Sequence, residues 1–193
     1  MSCDRPFAVA VLAGGRSSRM GRDKALLVHA GRTLLERQVM LAWTLTPREV
    51  LVVGRNQSEL GGLNARGLPD AQPGRGPLGG LATAFAATTA EHVLLLAVDM
   101  PALTAAFLAR VLAQRSPGVG VVPRAAAGWE PTAAVYPVTL ATMANARIAA
   151  GRLALRGLVE EAVADGRLRA LPVEADELAL LVNWNCPADL GPG

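Results

Sequence analysis

The sequence predicts an α/β fold: a three-layer α/β/α sandwich around a mostly parallel, Rossmann-like sheet. Short uninterrupted apolar runs such as "FAVAVLA" alternate along the chain with segments whose apolar residues recur at helical spacing. Apolar runs without polar alternation are typical of strands that helices cover on both faces. The 193 residues contain no repeat, low-complexity segment or long linker, so we expect residues 1–193 to form a single domain.

Eight segments are predicted to be strands, because each is a short run of mainly apolar residues bounded by turn-forming residues. They are residues 7–13, 49–54, 67–70, 92–101, 118–123, 130–137, 168–175 and a short strand within 178–190. The clearest is "HVLLLAVDMP", in which six apolar residues lead into Asp99. A loop is expected at "RAAAGW", between the fifth and sixth strands.

Five segments carry helical periodicity, and several have residues that favour helix ends. Thr33 precedes Glu36 by three residues, which is the spacing of a capping box. Thr104 is an expected N-cap, and Pro77 suits the first turn of its helix. The last two of the five helices each end at glycine. The predicted helices are residues 33–43, 76–90, 104–115, 138–151 and 153–166, with a further helix beginning near residue 187.

The composition argues against several classes of protein. Hydrophobic residues make up 51% of the chain and aromatic residues 4%, so alanine, leucine and valine must build the core. The net charge is only +3 and the basic residues are scattered outside one loop, which argues against a nucleic-acid partner. No apolar stretch approaches the roughly 20 residues that cross a membrane, and the N-terminal run lacks a signal-peptide cleavage site. Cys3 and Cys186 have neither metal-site spacing nor a disulfide framework, so we expect a cytoplasmic protein.

Residues that could bind a ligand follow the predicted strands. Gly14 and Gly15 follow the first strand, Gly54 and Arg55 the second, Asp70 the third and Asp99 the fourth. Ligands of mostly parallel sheets bind at the carboxyl ends of the strands. We therefore expect these residues to share one edge of the sheet.

The stretch "VLAGGRSSRMGRDKALL", residues 11–27, predicts an anion-binding loop. Two glycines let the backbone approach a ligand closely, and successive N–H groups there can form a concave site. Arg16, Arg19, Arg22 and Lys24 add the positive charge that a triphosphate requires. The loop fits neither the Walker A pattern nor the dinucleotide-binding G-x-G-x-x-G pattern. An exposed loop with ordinary surface arginines is the alternative interpretation.

Two aspartates and one glycine-rich stretch each have a functional and a structural interpretation. Asp99 can hold a Mg²⁺ ion whose other ligands are phosphate oxygens and water, or it can cap the turn before Pro101. Asp70 can accept two hydrogen bonds from the N1–H and 2-amino edge of guanine, or it can begin a turn. "GRGPLGG", residues 74–80, can present a helix N-terminus to an anion, or it can be a flexible loop before a helix.

Several motifs together resemble one family. "LAGG" with "RMGRDK", then "PDAQPGRGPLGGL", "VDMP", "EPTAAVY" and "NWNCP", occur in this order between residues 9 and 190. The first loop resembles nucleotidyltransferases of the nucleotide-diphospho-sugar transferase superfamily, and the full set resembles the molybdenum cofactor guanylyltransferase family. The resemblance implies a Mg²⁺-dependent transfer of GMP from GTP to molybdenum-molybdopterin, which yields molybdopterin guanine dinucleotide and pyrophosphate. It also implies molybdoenzymes or their chaperones as further partners.

The resemblance assigns roles to the matching positions of this chain. The N-terminal half would bind the nucleotide and the C-terminal half the acceptor. Lys24, Arg19 and Asp99 would be catalytic, with Asp99 as the metal ligand, and Asn183 and Asn185 would bind the acceptor. The nucleotide-binding residues would be Leu12, Ala13, Gly14, Gly15, Lys24, Gly54, Asp70, Gly76, Pro77, Leu78 and Asp99.

The chain departs from the family pattern at two positions. Gly54 stands where some members carry an asparagine that contacts the nucleotide, and Cys186 stands where threonine is common. Three other functions therefore remain as alternatives. They are a cytidylyltransferase acting on the same pterin, a nucleotidyltransferase for another small phosphate, and a non-catalytic GTP-binding module.

Overall fold

The computed structural model describes residues 6–14 and 23–184. Within these ranges the chain forms ten strands, five α-helices and four short 3₁₀ helices. In chain order the strands and α-helices are β1 (Phe7–Leu12), β2 (Val28–His29), β3 (Arg32–Thr33), α1 (Leu34–Thr44), β4 (Glu49–Val53), β5 (Arg66–Leu68), α2 (Gly76–Ala87), β6 (His92–Ala97), α3 (Ala105–Ala113), β7 (Gly120–Ala125), β8 (Gly128–Trp129), β9 (Ala133–Pro137), α4 (Ala141–Ala149), α5 (Leu155–Ala164) and β10 (Leu168–Pro172). The 3₁₀ helices are Lys24–Leu26, Gln57–Leu60, Val138–Leu140 and Ala175–Leu181.

Eight of the strands form one sheet in the order β10-β7-β9-β6-β1-β4-β5, with β8 paired to β7. β1 runs parallel to both β4 and β6, and β4 runs parallel to β5. β9 runs antiparallel to its neighbours β6 and β7, whereas β10 runs parallel to β7. The carboxyl ends of β1, β4, β5 and β6 therefore meet at one edge of the sheet, as the sequence predicts. β2 and β3 form a separate two-stranded hairpin just after the first loop.

Helices cover both faces of this sheet. Successive residues of a strand point to opposite faces, so Val9 and Val11 of β1 pack with residues of α1 and α3. Ala10, between them, packs with residues of α2, α4 and α5 on the other face. The core residues of β1, β4 and β6 are buried on both faces, which explains why these strands read as continuous apolar runs. The predicted three-layer fold class is confirmed.

The predicted helix ends are confirmed at several places. The Thr33 hydroxyl accepts a hydrogen bond from the Glu36 N–H at 3.1 Å, and the Glu36 carboxylate accepts one from the Thr33 N–H at 2.7 Å. Thr104 caps α3 through its side chain. Gly151 and Gly166 follow α4 and α5 with φ of +70°, the conformation that a glycine C-cap supplies. None of the helices in the described residues is long and apolar enough to cross a membrane.

The strand predicted within residues 178–190 is wrong in its described part. Ala175–Leu181 forms a 3₁₀ helix instead. The Glu177 carboxylate accepts a hydrogen bond from the Glu174 N–H at 2.9 Å, and the two residues form a reciprocal cap that begins the helix. Arg110 of α3 also binds Glu177, so a tertiary ion pair fixes the same turn. These contacts outweigh the β propensity of the apolar residues that follow.

The segment "RAAAGW" is not an irregular loop but the tip of the β7–β8 hairpin. Arg124 and Trp129 lie opposite each other across the two strands. The guanidinium carbon of Arg124 lies 4.5 Å from the centre of the Trp129 ring, which is a favourable cation–π distance. This cross-strand contact stabilises the pairing of the two strands.

Candidate active site

A cleft of about 1110 Å³ opens at the carboxyl ends of β1, β4, β5 and β6. Its volume is at or slightly above the upper end of the roughly 300–1,000 Å³ range of small-molecule sites. Most of the predicted site residues that the structure describes line this cleft. They are Leu12, Ala13, Gly14, Lys24, Gly54, Asp70, Gly76, Pro77, Asp99 and Asn183.

The ends of β1 and β4 approach each other closely in the floor of the cleft. Gly54 has φ of +91°, and a Cβ placed on it would lie 2.4 Å from the Gly14 Cα atom. A Cβ on Gly14 would lie 3.0 Å from the Gly54 Cα atom. Each position therefore needs glycine because the other backbone lies so close, and no side chain fits at position 54. The asparagine that some family members carry there cannot be accommodated with this backbone.

The backbone just before this contact extends the sheet into the cleft wall. The Ala13 N–H donates to the Val53 carbonyl at 3.0 Å, and the Val98 N–H donates to the Leu12 carbonyl at 3.3 Å. These bonds fix the positions of Leu12 and Ala13. They also mean that part of the backbone expected to contact a nucleotide already has partners within the sheet.

Lys24 and Asp99 meet in the cleft although they come from different loops. The Lys24 ammonium donates to the Asp99 carboxylate at 3.1 Å and to the Trp184 carbonyl at 3.1 Å. The Trp184 N–H in turn donates to the Asp99 carbonyl at 2.8 Å. The side chains of Lys24 and Asp99 are 20% and 22% exposed, so both remain accessible from the cleft. The ring of Trp184 packs edge-on against His29, with the ring centres 4.8 Å apart.

A second group of charges lies beside this pair. Arg55, directly after Gly54, forms ion pairs with Asp23 and Glu59, and all three residues line the cleft. Burial alone would lower the pKa of Arg55, but the hydrogen bond and charge of Asp23 together with the charge of Glu59 raise it above its ordinary value. The hydrogen bond that the Asn56 N–H donates lowers the pKa of Glu59. Arg55 and Glu59 therefore stay charged around neutral pH.

Asp70 lies in the cleft and also begins a turn. It lines the cleft, and its Oδ1 atom accepts a hydrogen bond from the Gln72 N–H at 2.9 Å. The carboxylate thus begins a turn, as the structural interpretation has it. Its Oδ2 atom receives no hydrogen bond from the described residues, so one acceptor remains for a ligand in the cleft.

The start of α2 faces the cleft through Gly76 and Pro77, and its N-cap residue provides no side-chain cap. N–H groups at a helix start attract anions, but Pro77 has no N–H, so this helix start offers fewer donors than usual. A Cβ on Gly80 would lie 2.5 Å from the end of the Leu12 side chain, which would have to shift. Leu78 does not line the cleft, since its side chain is fully buried against the sheet.

Residues from the second half of the chain complete the cleft. Thr132 lies just before β9, and its carbonyl accepts a hydrogen bond from the Ala97 N–H at 3.2 Å. The buried Tyr136 hydroxyl donates to the Pro131 carbonyl at 2.6 Å and so fixes the same turn. Asn183, next to Trp184, lines the cleft beside Asp99. The cleft is therefore shared by the two halves of the sequence.

The described residues fit a divalent cation only if the substrate supplies most of its ligands. They contain no group of three or more histidine, cysteine or acidic side chains that could hold a metal. Asp99 offers one carboxylate in the cleft, and a single carboxylate with phosphate oxygens and water is a donor set that Mg²⁺ accepts. The described lining holds four carboxylates, those of Asp23, Glu59, Asp70 and Asp99, against two cations, those of Lys24 and Arg55. A bound cation would improve that balance for a triphosphate.

Three predicted site residues lie outside the described residues. They are Gly15, Arg19 and Asn185.

Comparison with known proteins decides the family. Residues 9–167 match the family described as "MobA-like NTP transferase domain". The chain belongs to this family. The matched range includes the cleft residues Lys24, Gly54, Asp70 and Asp99, and the chain is a nucleotidyltransferase, as its motifs imply.

Individual relatives cover almost the whole chain. A protein of Opitutus terrae named "Probable molybdenum cofactor guanylyltransferase" is 37% identical over 95% of this chain and 92% of its own. A protein of the same name from Deinococcus radiodurans is 35% identical over 96% and 92%. The crystal structure of molybdopterin-guanine dinucleotide biosynthesis protein A from Archaeoglobus fulgidus has a TM-score of 0.74 at 24% identity, over 95% of this chain and 94% of that one. At that identity the structural likeness supports the fold alone.

Sequence reasoning missed part of this nucleotidyltransferase cleft. The polar lining residues that were not singled out are Asp23, Asn56, Glu59 and Thr132. Arg55 is a candidate from its position directly after a predicted strand, but the sequence gives it no role. Its pairing with Asp23 spans 32 residues and has no local sequence signature.

Proposed function

We propose that this nucleotidyltransferase transfers GMP from GTP to molybdenum-molybdopterin, with release of pyrophosphate and formation of molybdopterin guanine dinucleotide. One observation carries the proposal furthest: Lys24 and Asp99 lie 3.1 Å apart in a large cleft at the carboxyl edge of the sheet. Relatives that align over more than nine-tenths of the chain carry the guanylyltransferase name, which supports the choice of reaction.

The reaction needs positioning and charge stabilisation rather than a covalent enzyme intermediate. An oxygen of the acceptor's terminal phosphate attacks the α-phosphorus of GTP, and the bond from that phosphorus to pyrophosphate breaks. Pyrophosphate leaves with the electron pair of that bond. Lys24 offsets the negative charge that develops on the phosphates, and the start of α2, which has no side-chain cap, can add N–H donors. Arg19, which lies outside the described residues, is proposed to add a second cation.

We propose Mg²⁺ as the cofactor, with Asp99 as the protein ligand. When bound, Mg²⁺ would neutralise phosphate charge and polarise the phosphoryl oxygens. Asp99 suits this role because its backbone is held by Trp184 while its side chain is open to the cleft. Asn183 is proposed to contact the acceptor from the same side, and Asn185 two residues further on.

The choice of guanine rests on Asp70. Guanine presents two donors on one edge, and a carboxylate is the matching acceptor; adenine lacks this pattern, and cytosine presents one amino donor beside acceptors. Asp70 supports the proposal because it lines the cleft and, among the described residues, its carboxylate accepts one hydrogen bond, at Oδ1 from the Gln72 N–H. Because Gly54 cannot carry a side chain, the nucleotide contact made by asparagine in some members would have to come from elsewhere. A cytidylyltransferase acting on the same acceptor is the second candidate.

Pyrophosphate release tests the proposal. The purified protein is incubated with molybdenum-loaded molybdopterin and Mg²⁺, and GTP, CTP and ATP are compared as donors. We expect release with GTP and little with the other two, and no release without the acceptor. Turnover with CTP but not GTP would replace the assignment with the second candidate. Nucleotide binding without pyrophosphate release from any donor would favour a binding module.

The partners and location follow from this function. We propose that molybdoenzymes or their chaperones receive the product, and that the protein works in the cytoplasm without nucleic acid or membrane. We also propose that residues 1–193 act as one domain whose first half binds GTP and whose second half binds the acceptor. The eight-stranded sheet draws strands from both halves, and the cleft holds Lys24 from the first half together with Asn183 from the second, which supports this.

A further inference from the structure

Arg55 is a basic residue of the cleft that the proposed chemistry does not use. Its side chain is only 14% exposed, although arginine is usually a surface residue. A buried guanidinium is costly unless it is paired, and Arg55 pairs with two carboxylates from different segments. Its Nε atom is buried without a hydrogen-bond partner among the described residues. Such a placement is expected of a group that holds its surroundings in position.

The backbone of Arg55 is itself fixed. The N–H groups of Gly54 and Arg55 both donate to the Leu68 carbonyl of β5, at 2.8 and 3.3 Å. The preceding Gly54 is packed against Gly14 at the end of β1. Arg55 therefore projects from the rigid part of the sheet, where two strands end side by side.

The first partner of Arg55 is the residue that begins the turn of Lys24. Asp23 binds Arg55 through its Oδ2 atom and accepts a hydrogen bond from the Ala25 N–H through Oδ1 at 3.1 Å. Asp23 is thus the N-cap of the 3₁₀ helix Lys24–Leu26. The Leu26 N–H donates to the Asp23 carbonyl, and the Leu27 N–H donates to the Lys24 carbonyl, each at 3.1 Å.

We propose that Arg55 is a positioning residue that orients Lys24 by holding Asp23 against the end of β4. The inference rests on the proposed catalytic role of Lys24. One side of Asp23 is tied to the sheet through Arg55, and the other side sets the turn from which Lys24 reaches Asp99. Among the described residues, Asp99 and Trp184 hold the ammonium group of Lys24, and Arg55 holds the start of its turn through Asp23.

The lysine ammonium is a point charge on a flexible four-carbon stem. The position of the lysine backbone therefore determines how often the ammonium is correctly placed. A displacement of about 1 Å at a reacting group can lower a rate about 100-fold. Arg55 acts through Asp23, and Glu59 serves to neutralise the rest of the guanidinium.

Hydrogen exchange of the ligand-free protein tests the holding role directly. In Arg55→Gln we expect the amides of Ala25, Leu26 and Leu27 to exchange about tenfold faster or more, because their turn loses its anchor. Arg66→Gln is the matched control. Arg66 of β5 pairs with Glu49 of β4, but it is 51% exposed and does not line the cleft. It should leave these amides unchanged. Unchanged exchange in Arg55→Gln would overturn the proposal.

Kinetics test whether the anchor acts through Asp23. Asp23→Asn keeps an oxygen that can cap the turn but removes the charge that Arg55 binds. We expect Arg55→Gln, Asp23→Asn and the double variant to lower kcat to the same extent, about 10- to 100-fold, with the KM for GTP changed less than kcat. Additive losses in the double variant, or a loss confined to KM, would mean that Arg55 contacts the nucleotide itself, and would overturn the proposal.

The exchange and kinetic experiments together distinguish a failure of this inference from a failure of the proposed function. If the unmodified protein transfers no guanylyl group, the proposed function falls, yet the exchange rates still decide whether Arg55 holds the turn. If transfer is normal and both variants behave like the control, the function stands and the positioning role is wrong.

Discussion

Two ion pairs in this molecule, one in the cleft and one between two neighbouring helices, have different roles. Lys24 and Asp99 meet in the cleft with exposed fractions of 20% and 22%, and both face space that no side chain fills. Arg147 of α4 and Glu161 of α5 meet at 2.8 Å in a helical layer, where the arginine is only 10% exposed. The first pair ties loops around a cavity, whereas the second ties two helices together.

Glycine explains why the helical pair can be so close. A Cβ on Gly157 of α5 would lie 2.1 Å from the Arg147 guanidinium, so α5 leaves a space that the arginine occupies. The aliphatic part of Arg147 is therefore buried between the helices, and its guanidinium pairs with the Glu161 carboxylate. Charges packed in this way act on stability, and charges left facing a cavity act on a ligand. The predictions below test that distinction.

The largest effect is expected from the cleft pair. Lys24→Ala and Asp99→Ala should each lower turnover at least about 1000-fold, because each removes a charge that the transition state needs. The midpoint of thermal unfolding should shift by no more than a few degrees, since both groups are partly solvated. Pyrophosphate release and calorimetry measure the two quantities. Normal guanylyl transfer by either variant would contradict the assigned roles.

The next effect concerns the floor of the cleft. Gly54→Ala should destabilise the fold by about 2–4 kcal/mol, because it combines a positive φ with a Cβ 2.4 Å from Gly14. Gly62→Ala is a matched control, since Gly62 has φ of +86° with nothing within 4 Å of its Cβ. It should cost only about 1 kcal/mol. Urea unfolding of the two variants gives the comparison, and equal losses would show that the close approach to Gly14 is unimportant.

A smaller and purely structural effect is expected from the helical pair. Arg147→Met keeps much of the buried stem but leaves Glu161 without its partner. Because Glu161 is 41% exposed and can be solvated, we expect a loss of only about 1 kcal/mol. Turnover per folded molecule should be unchanged. A drop in kcat without a drop in stability would break the distinction between the two pairs.

The smallest effect is a pH dependence at the opposite edge of the sheet. His92, at the start of β6, is fully buried, and burial lowers its pKa below the ordinary value of 6.5. The unfolded chain then binds a proton more readily than the folded chain. The free energy of unfolding is therefore fully retained above pH 6.5 and declines as the pH falls below 6.5. His92→Gln should flatten the difference in unfolding free energy between about pH 7.5 and about pH 5. An unchanged difference would assign the pH dependence to other groups.

The sheet and the general position of the site follow from the sequence for a clear reason. The runs around Val9 and Leu94 are apolar throughout because helices cover both faces, and glycine or aspartate follows where the strands end. Periodicity and strand ends are local signals. They place Gly14, Asp70 and Asp99 at one edge without any knowledge of tertiary contacts.

What the sequence does not reveal depends on contacts between distant segments. The bond of Arg55 to Asp23 and the approach of Gly54 to Gly14 have no local pattern. The helical turn after Glu174 begins with a local cap, but its ion pair with Arg110, far away in sequence, has no local pattern. In each case two segments must first be packed together before the decisive interaction exists.

The hydrogen bonds of Trp184 set an order of events during protein synthesis. Lys24 and Trp184 are separated by 160 residues, so at about 5–20 residues per second the ribosome adds the tryptophan roughly 8 to 30 s after the lysine. The pairing of β1 with β4 and β6 can form well before that time. A growing chain can thus hold these three paired strands before Lys24 and Asp99 have their contacts with Trp184. If Lys24 and Asp99 are catalytic, as proposed, the enzyme becomes competent only when the last described residues have been added.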